Sequence, residues 1–186
     1  MTAPSMQKPS STIAWFRLAE FVDRREKERA LGMYRLLAHS VQDKAVATQL
    51  QGDLLKAFDD ERALSTYEEA ATMFARSDRI EQAVLLYEQA IAYALTLKKY
   101  AHIKSFVAKN YLSTTERTAL CMRCVIEILM YHQHERVEHD CSTCLSWACD
   151  QIIAEPVLNT SFMAKVQALD PELHIHVQTQ HIGKHH

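Results

Sequence analysis

The sequence predicts an all-α fold, and three observations support that prediction. Only three of the 186 residues are glycine and four are proline, whereas hairpins and phosphate-binding loops need glycine at positive φ or at points of close backbone approach. Apolar residues recur at the three- and four-residue spacing of amphipathic helices. Candidate N-caps are followed three residues later by acidic side chains. The pattern therefore predicts helices joined by short polar connections.

Apolar spacing and start signals predict ten helices in chain order. The predicted spans are 12–22, 25–39, 43–57, 60–76, 79–98, 100–110, 114–133, 140–154, 160–169 and 171–178. Capping boxes, in which a side chain and an acidic partner satisfy first-turn amides, are predicted at Asp23 with Glu26, Ser40 with Asp43, Asp78 with Glu81 and Ser113 with Glu116. Asp170 before Pro171 predicts an N-cap followed by proline at the first helical position.

A short motif recurs in the first half of the chain. It has a small residue that permits close helix approach and a tyrosine, four positions later, that fills the adjacent groove. The copies are Ala30-x3-Tyr34-x2-Leu37, Ala63-x3-Tyr67-x2-Ala70 and Ala83-x3-Tyr87-x2-Ala90. They are preceded by Trp15-x2-Leu18-Ala19-x2-Val22, Ala47-x2-Leu50-Gln51-x2-Leu54 and Tyr67-x2-Ala70-Ala71-x2-Phe74.

These motifs resemble the tetratricopeptide repeat, with its W-x2-L-G-x2-Y and A-x3-F patterns and its period of about 34 residues. The resemblance covers roughly residues 12–97. The sequence departs from the pattern where the third copy follows after 20 residues, where Ala19, Gln51 and Ala71 replace the glycine, and where the terminal proline is absent. The resemblance implies antiparallel helical hairpins stacked as a TPR-like α-solenoid, whose groove binds a partner's helix or extended segment.

The predicted organisation has four parts. Residues 1–11 form a disordered N-terminus, 12–110 the TPR-like repeats, 111–178 a C-terminal helical extension packed on the repeats, and 179–186 a disordered tail. Helix 114–133 is apolar nearly all round, so it must be covered on most sides. The cover is either the neighbouring helices or a second copy of the chain, which would make a homo-oligomer through helix 114–133.

All five cysteines lie between positions 121 and 149. Cys121 with Cys124 and Cys141 with Cys144 form two CxxC pairs, and the sixteen residues between them suit a four-thiolate zinc site. His132, His134 and His139 are possible substitute ligands. The helical, apolar setting instead favours cysteines that pack as small apolar residues. We therefore expect no cofactor, with a zinc site that clamps the C-terminal helices as the alternative.

Other candidate motifs for chemistry are weak. His134 and His139 resemble the HExxH zinc-protease motif, but their i, i+5 spacing places them about 140° apart on a helix. His174, His176, His181, His185 and His186 are interpreted as solvated side chains. The sequence contains no G-x-x-x-x-G-K-[ST], G-x-G-x-x-G or G-x-S-x-G motif. The sequence therefore predicts a protein that is not an enzyme.

Charge and hydropathy limit the expected partners. A formal net charge of −2 gives no general attraction to nucleic acid or to anionic membranes. The N-terminus has no apolar signal-peptide core, so a cytoplasmic location is expected. Only Asn110 and Asn159 are asparagines, and neither lies in the repeats, so we expect no two-asparagine clamp for a C-terminal carboxylate. The predicted function is a non-catalytic protein-protein interaction scaffold or adaptor, with an unidentified protein or peptide partner.

Overall fold

The computed structural model describes residues 11–132 and 139–184. Within these ranges the chain forms ten α-helices and no strand, which confirms the predicted all-α class. The helices are α1 (Ser11–Asp23), α2 (Lys27–Ala38), α3 (Lys44–Ala57), α4 (Arg62–Arg76), α5 (Ile80–Thr96), α6 (Tyr100–Val107), α7 (Thr114–His132), α8 (His139–Ile153), α9 (Thr160–Leu169) and α10 (Pro171–Lys184). No helix of the described ranges is long and apolar enough to cross a membrane.

The described residues divide into two compact units between Ser77 and Asp78. In the first unit α1 packs on α2, α3 packs on α4, and α2 also contacts α3. In the second unit α7 is central and packs against α5, α6, α8 and α9, while α10 packs on α8 and α9. The division differs from the predicted one at 110/111, because α5 and α6 pack with α7.

One aromatic group shows why α5 belongs with the helices that follow it. The Tyr87 ring on α5 stacks on Phe106 of α6, with ring centroids 5.3 Å apart. The Tyr87 hydroxyl also forms a hydrogen bond with the hydroxyl of Tyr111. The ring stacking and the hydrogen bond thus join α5 to α6 and to the connection that follows α6.

Several helices end at a non-glycine residue in the left-handed conformation. Arg25, Asp59 and Lys98 have φ values of 57°, 55° and 57°. After each, the next N–H donates to the carbonyl five residues earlier: Glu26 to Phe21 at 2.8 Å, Asp60 to Leu55 at 3.0 Å and Lys99 to Ala94 at 2.8 Å. This is the long bond of the Schellman motif, which satisfies a terminal carbonyl as the helix stops. It ends these helices abruptly without glycine.

Two of the predicted helix starts are confirmed. The Glu116 N–H donates to Ser113 Oγ at 3.3 Å, and the Ser113 N–H donates to Glu116 Oε2 at 2.6 Å, which is the reciprocal capping box. At the start of α10, Asp170 Oδ1 accepts from the Leu173 N–H at 2.9 Å. Pro171 is the first residue of that helix. Here the spacing and the backbone conformation agree.

Two other predicted starts are wrong. Asp23 is the last residue of α1, and Glu26 occupies the N-cap position of α2 without a side-chain cap. Asp78 has a φ of 59°, and Arg79 occupies the N-cap position of α5, also without a side-chain cap. An N-cap needs extended backbone at the capping residue. Asp23 is helical and Asp78 is left-handed, so neither carboxylate can cap the next helix.

The start of α3 differs from its prediction in the identity of the cap. Asp43 caps the helix itself, with Oδ1 2.9 Å from the Ala45 nitrogen and 3.3 Å from the Val46 nitrogen. Ser40 instead donates through Oγ to the Leu37 carbonyl at 2.6 Å. Asp43 is therefore the N-cap of α3, and its side chain, shorter than that of glutamate, does not reach back to Ser40 as the partner of a capping box.

The predicted core is confirmed at the repeated tyrosines. Tyr34, Tyr67 and Tyr87 are at most 5% exposed. The alanines four positions before them, Ala30, Ala63 and Ala83, are fully buried as well. The motif therefore marks the inward face of α2, α4 and α5.

The ends of the chain differ from the prediction at α10. That helix runs to Lys184, so residues 179–184, predicted as part of a disordered tail, are helical. The reason is tertiary, because α10 packs on α8 and α9 and its Val177 is fully buried. Residues 1–10, 185 and 186 lie outside the described residues.

Helix α7 is covered by its own chain. Cys121, Cys124 and Val125 are fully buried, and α5, α8 and α9 supply the surrounding contacts. Of the two predicted kinds of cover, the neighbouring helices account for the buried face. The proposed homo-oligomer contact is therefore not needed to bury the centre of α7, and the exposed apolar residues Met130 and Tyr131 lie at its C-terminal end.

Candidate functional site

A cavity of the first unit lies between α2, α3 and α4, and we call it the α2–α4 groove. Its volume is about 590 Å³. An adjoining cavity of about 400 Å³ shares Tyr34, Ala38, His39 and Gln51 with it and extends it to Lys44 and Thr48. The groove is lined by Leu31, Tyr34, Arg35, Ala38, His39, Gln51, Leu55, Arg62, Ser65 and Thr66. The two cavities therefore border the same residues of α2 and α3.

Buried tyrosines hold the walls of the α2–α4 groove in place. Tyr34 on α2 donates its hydroxyl to the Ala47 carbonyl on α3. Tyr67 on α4 donates to Asp53 Oδ1 on α3 at 2.8 Å. A Cβ on Gly52 would lie 2.6 Å from the Tyr67 ring atoms Cδ1 and Cε1, so this ring rests directly on the glycine backbone. Helix α3 is thus tied to the helices on both sides.

A charged cluster closes one end of the first unit. The Asp60 side chain is only 7% exposed and receives the Lys27 ammonium at 2.8 Å and the Arg62 guanidinium at 2.6 Å. The Arg62 hydrogen bonds, followed by the charge and hydrogen bond of Lys27, hold the pKa of Asp60 well below its usual range, although burial opposes this. Arg25 pairs with Asp59 at 3.1 Å and donates to the Ala57 carbonyl. These contacts connect the two hairpin turns.

The α2–α4 groove and its extension are electropositive. Arg35, His39, Lys44 and Arg62 line them, and none of the described lining residues is acidic. Arg35, His39 and Lys44 are exposed, whereas Arg62 is engaged by Asp60. The exposed cations Arg35 and Lys44 therefore favour a ligand with negative charge.

The five cysteines meet in the second unit, at the interface of α7 and α8. All five are free thiols and at most 4% exposed. Cys124 on α7 lies close enough to Cys144 on α8, and to Cys121 and Cys141, to interact with them electrostatically. Cys121 in turn interacts with Cys144 and Cys149. The sequence-predicted residues Cys121, Cys124, Cys141 and Cys144 are thus brought together at one helix interface.

The environments of these thiols differ. Burial raises the pKa of Cys121 and of Cys149 to about 12. The hydrogen bond to Cys144, together with burial, raises the pKa of Cys124 above its usual value. The same hydrogen bond and the positive charge of Lys104 lower the pKa of Cys144. Most of the cluster therefore consists of thiols that stay protonated, as in an apolar packing layer.

The described part of the cysteine cluster lacks the arrangement of a metal site. Within residues 11–132 and 139–184, no group of three His, Cys, Asp or Glu side chains is arranged to hold a metal ion. His134 lies outside the described residues, as do the side chains of His132 and His139, so the substitute ligands and the HExxH-like segment are not part of the described geometry. Metal binding requires deprotonated thiols, whereas burial raises the pKa of Cys121.

One cysteine lines a second cleft, which we call the α6–α8 cleft. This cleft of about 480 Å³ is lined by Lys98, Lys99, Tyr100, Ala101, His102, Lys104, Asp140, Thr143 and Cys144. Lys104 lies with its Nζ 5.5 Å from the centroid of the Trp147 ring, which is a cation–π distance. Cys144 is therefore a lining residue of this cleft.

Sequence reasoning did not identify the groove residues or the Asp60 cluster. Arg35 directly follows Tyr34, which was predicted to face inward. Because consecutive residues on a helix lie about 100° apart, this position predicts that Arg35 borders the buried face. Asp60 carried no such signal, because its partner Lys27 lies on another hairpin. Gly52 could have been noted as a glycine inside a predicted helix, where it costs stability unless close packing requires it.

No protein-family model matches the chain, and neither a curated protein nor a solved structure matches it.

Proposed function

We propose that the protein is a non-catalytic interaction scaffold or adaptor of the tetratricopeptide-like kind, which binds an acidic segment of a partner protein in the α2–α4 groove. The observation that carries this proposal is the groove itself, an open depression with basic side chains on helices tied together by buried tyrosines. Such a site binds through shape and charge and requires no catalytic group or cofactor.

The first unit supports a tetratricopeptide-like arrangement of hairpins. The α1–α2 and α3–α4 hairpins turn at Arg25 and Asp59, both left-handed and each followed by a Schellman bond. These turn residues form an ion pair with each other. Equivalent turns placed side by side are what stacked helical repeats produce. We propose that the helical hairpins stack in this way as a TPR-like α-solenoid.

Charge favours an acidic partner segment over a neutral one. Arg35, His39 and Lys44 are exposed along the groove and its extension. Carboxylates that approach arginine form strong, often bidentate hydrogen bonds. Recognition would use side-chain carboxylates along the segment, and not a terminal carboxylate held by an asparagine clamp, because none of the described lining residues of the groove is asparagine.

The binding proposal can be tested with two fluorescent peptides of equal length, one rich in glutamate and one with glutamine at the same positions. We expect the glutamate peptide to bind, with affinity that falls as salt concentration rises because exposed charges are screened. Arg35→Glu should weaken binding at least about tenfold, equivalent to roughly 1.4 kcal/mol. Arg76→Glu is the matched control, since Arg76 is exposed in the same unit at the end of α4.

The peptide's terminal group separates side-chain recognition from a carboxylate clamp. Amidation of the C-terminus should leave the affinity of the glutamate peptide unchanged. The proposal would be contradicted if a chaperone-type peptide bound with micromolar affinity and lost that affinity when its free terminal carboxylate was removed. Equal binding by the glutamate and glutamine peptides, or equal loss in Arg35→Glu and Arg76→Glu, would also contradict it.

The proposal includes a cytoplasmic setting and a protein partner. Five free thiols suit a reducing compartment, where disulfides are rare. The net charge of −2 supports neither nucleic acid nor an anionic membrane as the general partner.

A further inference from the structure

We infer that the α6–α8 cleft of the second unit binds a small molecule that carries several linked phosphates, of the class of nucleoside polyphosphates and inorganic polyphosphates. The lining residues of this cleft are distinct from those of the α2–α4 groove. The inference is therefore independent of the proposed function.

The first support is the charge of the cleft wall. Its basic lining residues are Lys98, Lys99, His102 and Lys104, and Asp140 is the one acidic residue among the described lining residues. Ammonium groups gathered around one cleft repel each other. An anion with several charges offsets that repulsion, so the cleft favours such an anion over a ligand with one charge or none.

The local backbone gathers the three lysines. Lys98 is left-handed, with a φ of 57°, and the Lys99 N–H donates to the Ala94 carbonyl at 2.8 Å. This bond ends α5 abruptly and leaves both lysines in the turn before α6. Lys104 lies on α6 four positions after Tyr100, and residues at this spacing share a helix face. Turn and helix thus bring all three ammonium groups to one cleft.

Lys104 carries the most weight among these cations. Its side chain is half-buried, and its Nζ lies 5.5 Å from the centroid of the Trp147 ring. An aromatic face attracts an ammonium group without neutralising its charge, as a carboxylate would. Partial removal from water also strengthens the attraction between this charge and an anion. Lys104 is therefore the principal contact for the phosphates.

Size and side-chain type indicate the class of ligand. The volume of about 480 Å³ lies in the range of small-molecule sites, roughly 300–1,000 Å³. Lysine binds phosphate oxygens as a compact point charge with three donors. No arginine, whose planar fork suits carboxylates, is among the described lining residues, in contrast to the α2–α4 groove. Linked phosphates provide several charges within a cleft of this size.

The test uses the full chain with Trp15→Phe, which leaves Trp147 as the one tryptophan. Inorganic tripolyphosphate should change the Trp147 fluorescence, because it binds the lysine that contacts this ring. The affinity should fall as salt concentration rises, and it should decrease from tripolyphosphate to pyrophosphate to orthophosphate. Isothermal titration calorimetry measures the same affinities without the tryptophan signal.

Substitutions of Lys104 test the principal contact. Lys104→Gln should weaken tripolyphosphate binding at least about tenfold, as expected for the loss of a charge-assisted hydrogen bond. Lys104→Arg, which keeps the charge and the cation–π contact, should retain most of the affinity. Lys165→Gln is the matched control, because Lys165 is exposed on α9 in the same unit and does not line the cleft. Arg35→Glu, in the α2–α4 groove, should also leave the affinity unchanged.

Two further probes identify the source of the phosphates. A nucleoside triphosphate that binds more tightly than tripolyphosphate assigns the ligand to the nucleotides, and the reverse order assigns it to inorganic polyphosphates. The uncharged nucleoside should not bind in either case. The inference is overturned if tripolyphosphate does not bind, if Lys104→Gln and Lys165→Gln lose equal affinity, or if Arg35→Glu abolishes binding. Tighter binding of a peptide with a single phosphoserine would overturn it as well; circular dichroism checks the fold of every variant.

Discussion

At the scale of single residues, the three repeated tyrosines are equivalent in sequence but not in their hydrogen bonds. Tyr34 donates to the Ala47 carbonyl, Tyr67 to Asp53, and Tyr87 pairs with Tyr111. The small-residue-plus-tyrosine motif predicted the buried rings correctly. It could not predict the hydroxyl partners, since each belongs to a different helix or connection.

Tyr67 is the residue whose loss should cost the most stability in the first unit. Tyr67→Ala should lower the free energy of unfolding by about 3–5 kcal/mol, because it removes a large, fully buried ring. Urea denaturation measures this change. Tyr67→Phe, which removes the hydroxyl that donates to Asp53, should cost about 1 kcal/mol. A loss below about 1 kcal/mol in Tyr67→Ala would be incompatible with the burial described.

The glycines of α2 and α3 form a matched pair for the packing at Tyr67. Gly52→Ala should lower stability by at least about 1 kcal/mol despite alanine's better helix propensity, because its Cβ would meet the Tyr67 ring at 2.6 Å. Gly32→Ala should raise stability by about 0.5–1 kcal/mol, since a Cβ there has no neighbour within 4 Å. Thermal melts measure both changes. If the two substitutions shifted the melting temperature in the same direction, this packing explanation would be refuted.

Asp60 should give the first unit an acid-sensitive contribution to stability. Its pKa in the folded protein lies below the ordinary value of 3.8, chiefly because of hydrogen bonds from Arg62. Protonation therefore favours the unfolded state, so this contribution is present above pH 3.8 and is lost as pH falls below that value toward the lowered pKa. The stability difference between wild type and Asp60→Asn should shrink in that window.

A neighbouring aspartate provides the control for the pH experiment. Asp59 has a side chain that is 74% exposed, and its pairing with Arg25 is expected to contribute little. Asp59→Asn should therefore follow the wild-type dependence of stability on pH. If Asp60→Asn shows the same dependence as Asp59→Asn, Asp60 does not provide the acid-sensitive contribution.

At the scale of helices, the sequence located all ten elements but assigned several of their capping residues wrongly. Apolar periodicity identifies a helix because burial of one face is a property of many residues together. A cap depends on the backbone conformation of one residue. Ser113 has that conformation, whereas Asp23 remains in the preceding helix and Asp78 turns left-handed. Residue spacing alone cannot distinguish these cases.

The start of α7 provides a test of this distinction. Ser113→Ala should lower stability by about 1 kcal/mol, because the Glu116 N–H loses its acceptor in the reciprocal capping box. Asp23→Ala should have no such cost, and removal of an acidic group from the C-terminal end of α1 should be slightly favourable. Chemical denaturation compares the two; a larger loss for Asp23→Ala would contradict the helix boundaries described.

At the scale of the whole molecule, the C-terminal helices converge on a layer of five buried thiols. We predict that this layer is stabilised by packing, so a strong chelator should leave the melting temperature unchanged. Under the same conditions, a bulky thiol reagent should label Cys121 only after unfolding, since Cys121 is fully buried and burial raises its pKa to about 12.

The zinc alternative predicts a different response. Chelation would release about one metal ion per chain and melt the region after residue 114, because metal ligation is coupled to folding in structural zinc sites. The measurement is elemental analysis of untagged, reduced protein before and after chelation. Stoichiometric zinc in the native protein would contradict the packing prediction, and residues 114–154 would then be a metal-stabilised module.

The sequence by itself determined the helical class, the approximate helix spans and the buried face of the repeat motif, because these depend on composition and on periodicity along the chain. Only the tertiary structure decided that the cysteines of α7 and α8 lie together, which carboxylate is surrounded by cations, and that α5 and α6 belong with α7. Cys124 and Cys144, like Lys27 and Asp60, are far apart in sequence. Their contacts depend on how helices pack, since turn conformation and side-chain volume set that packing jointly.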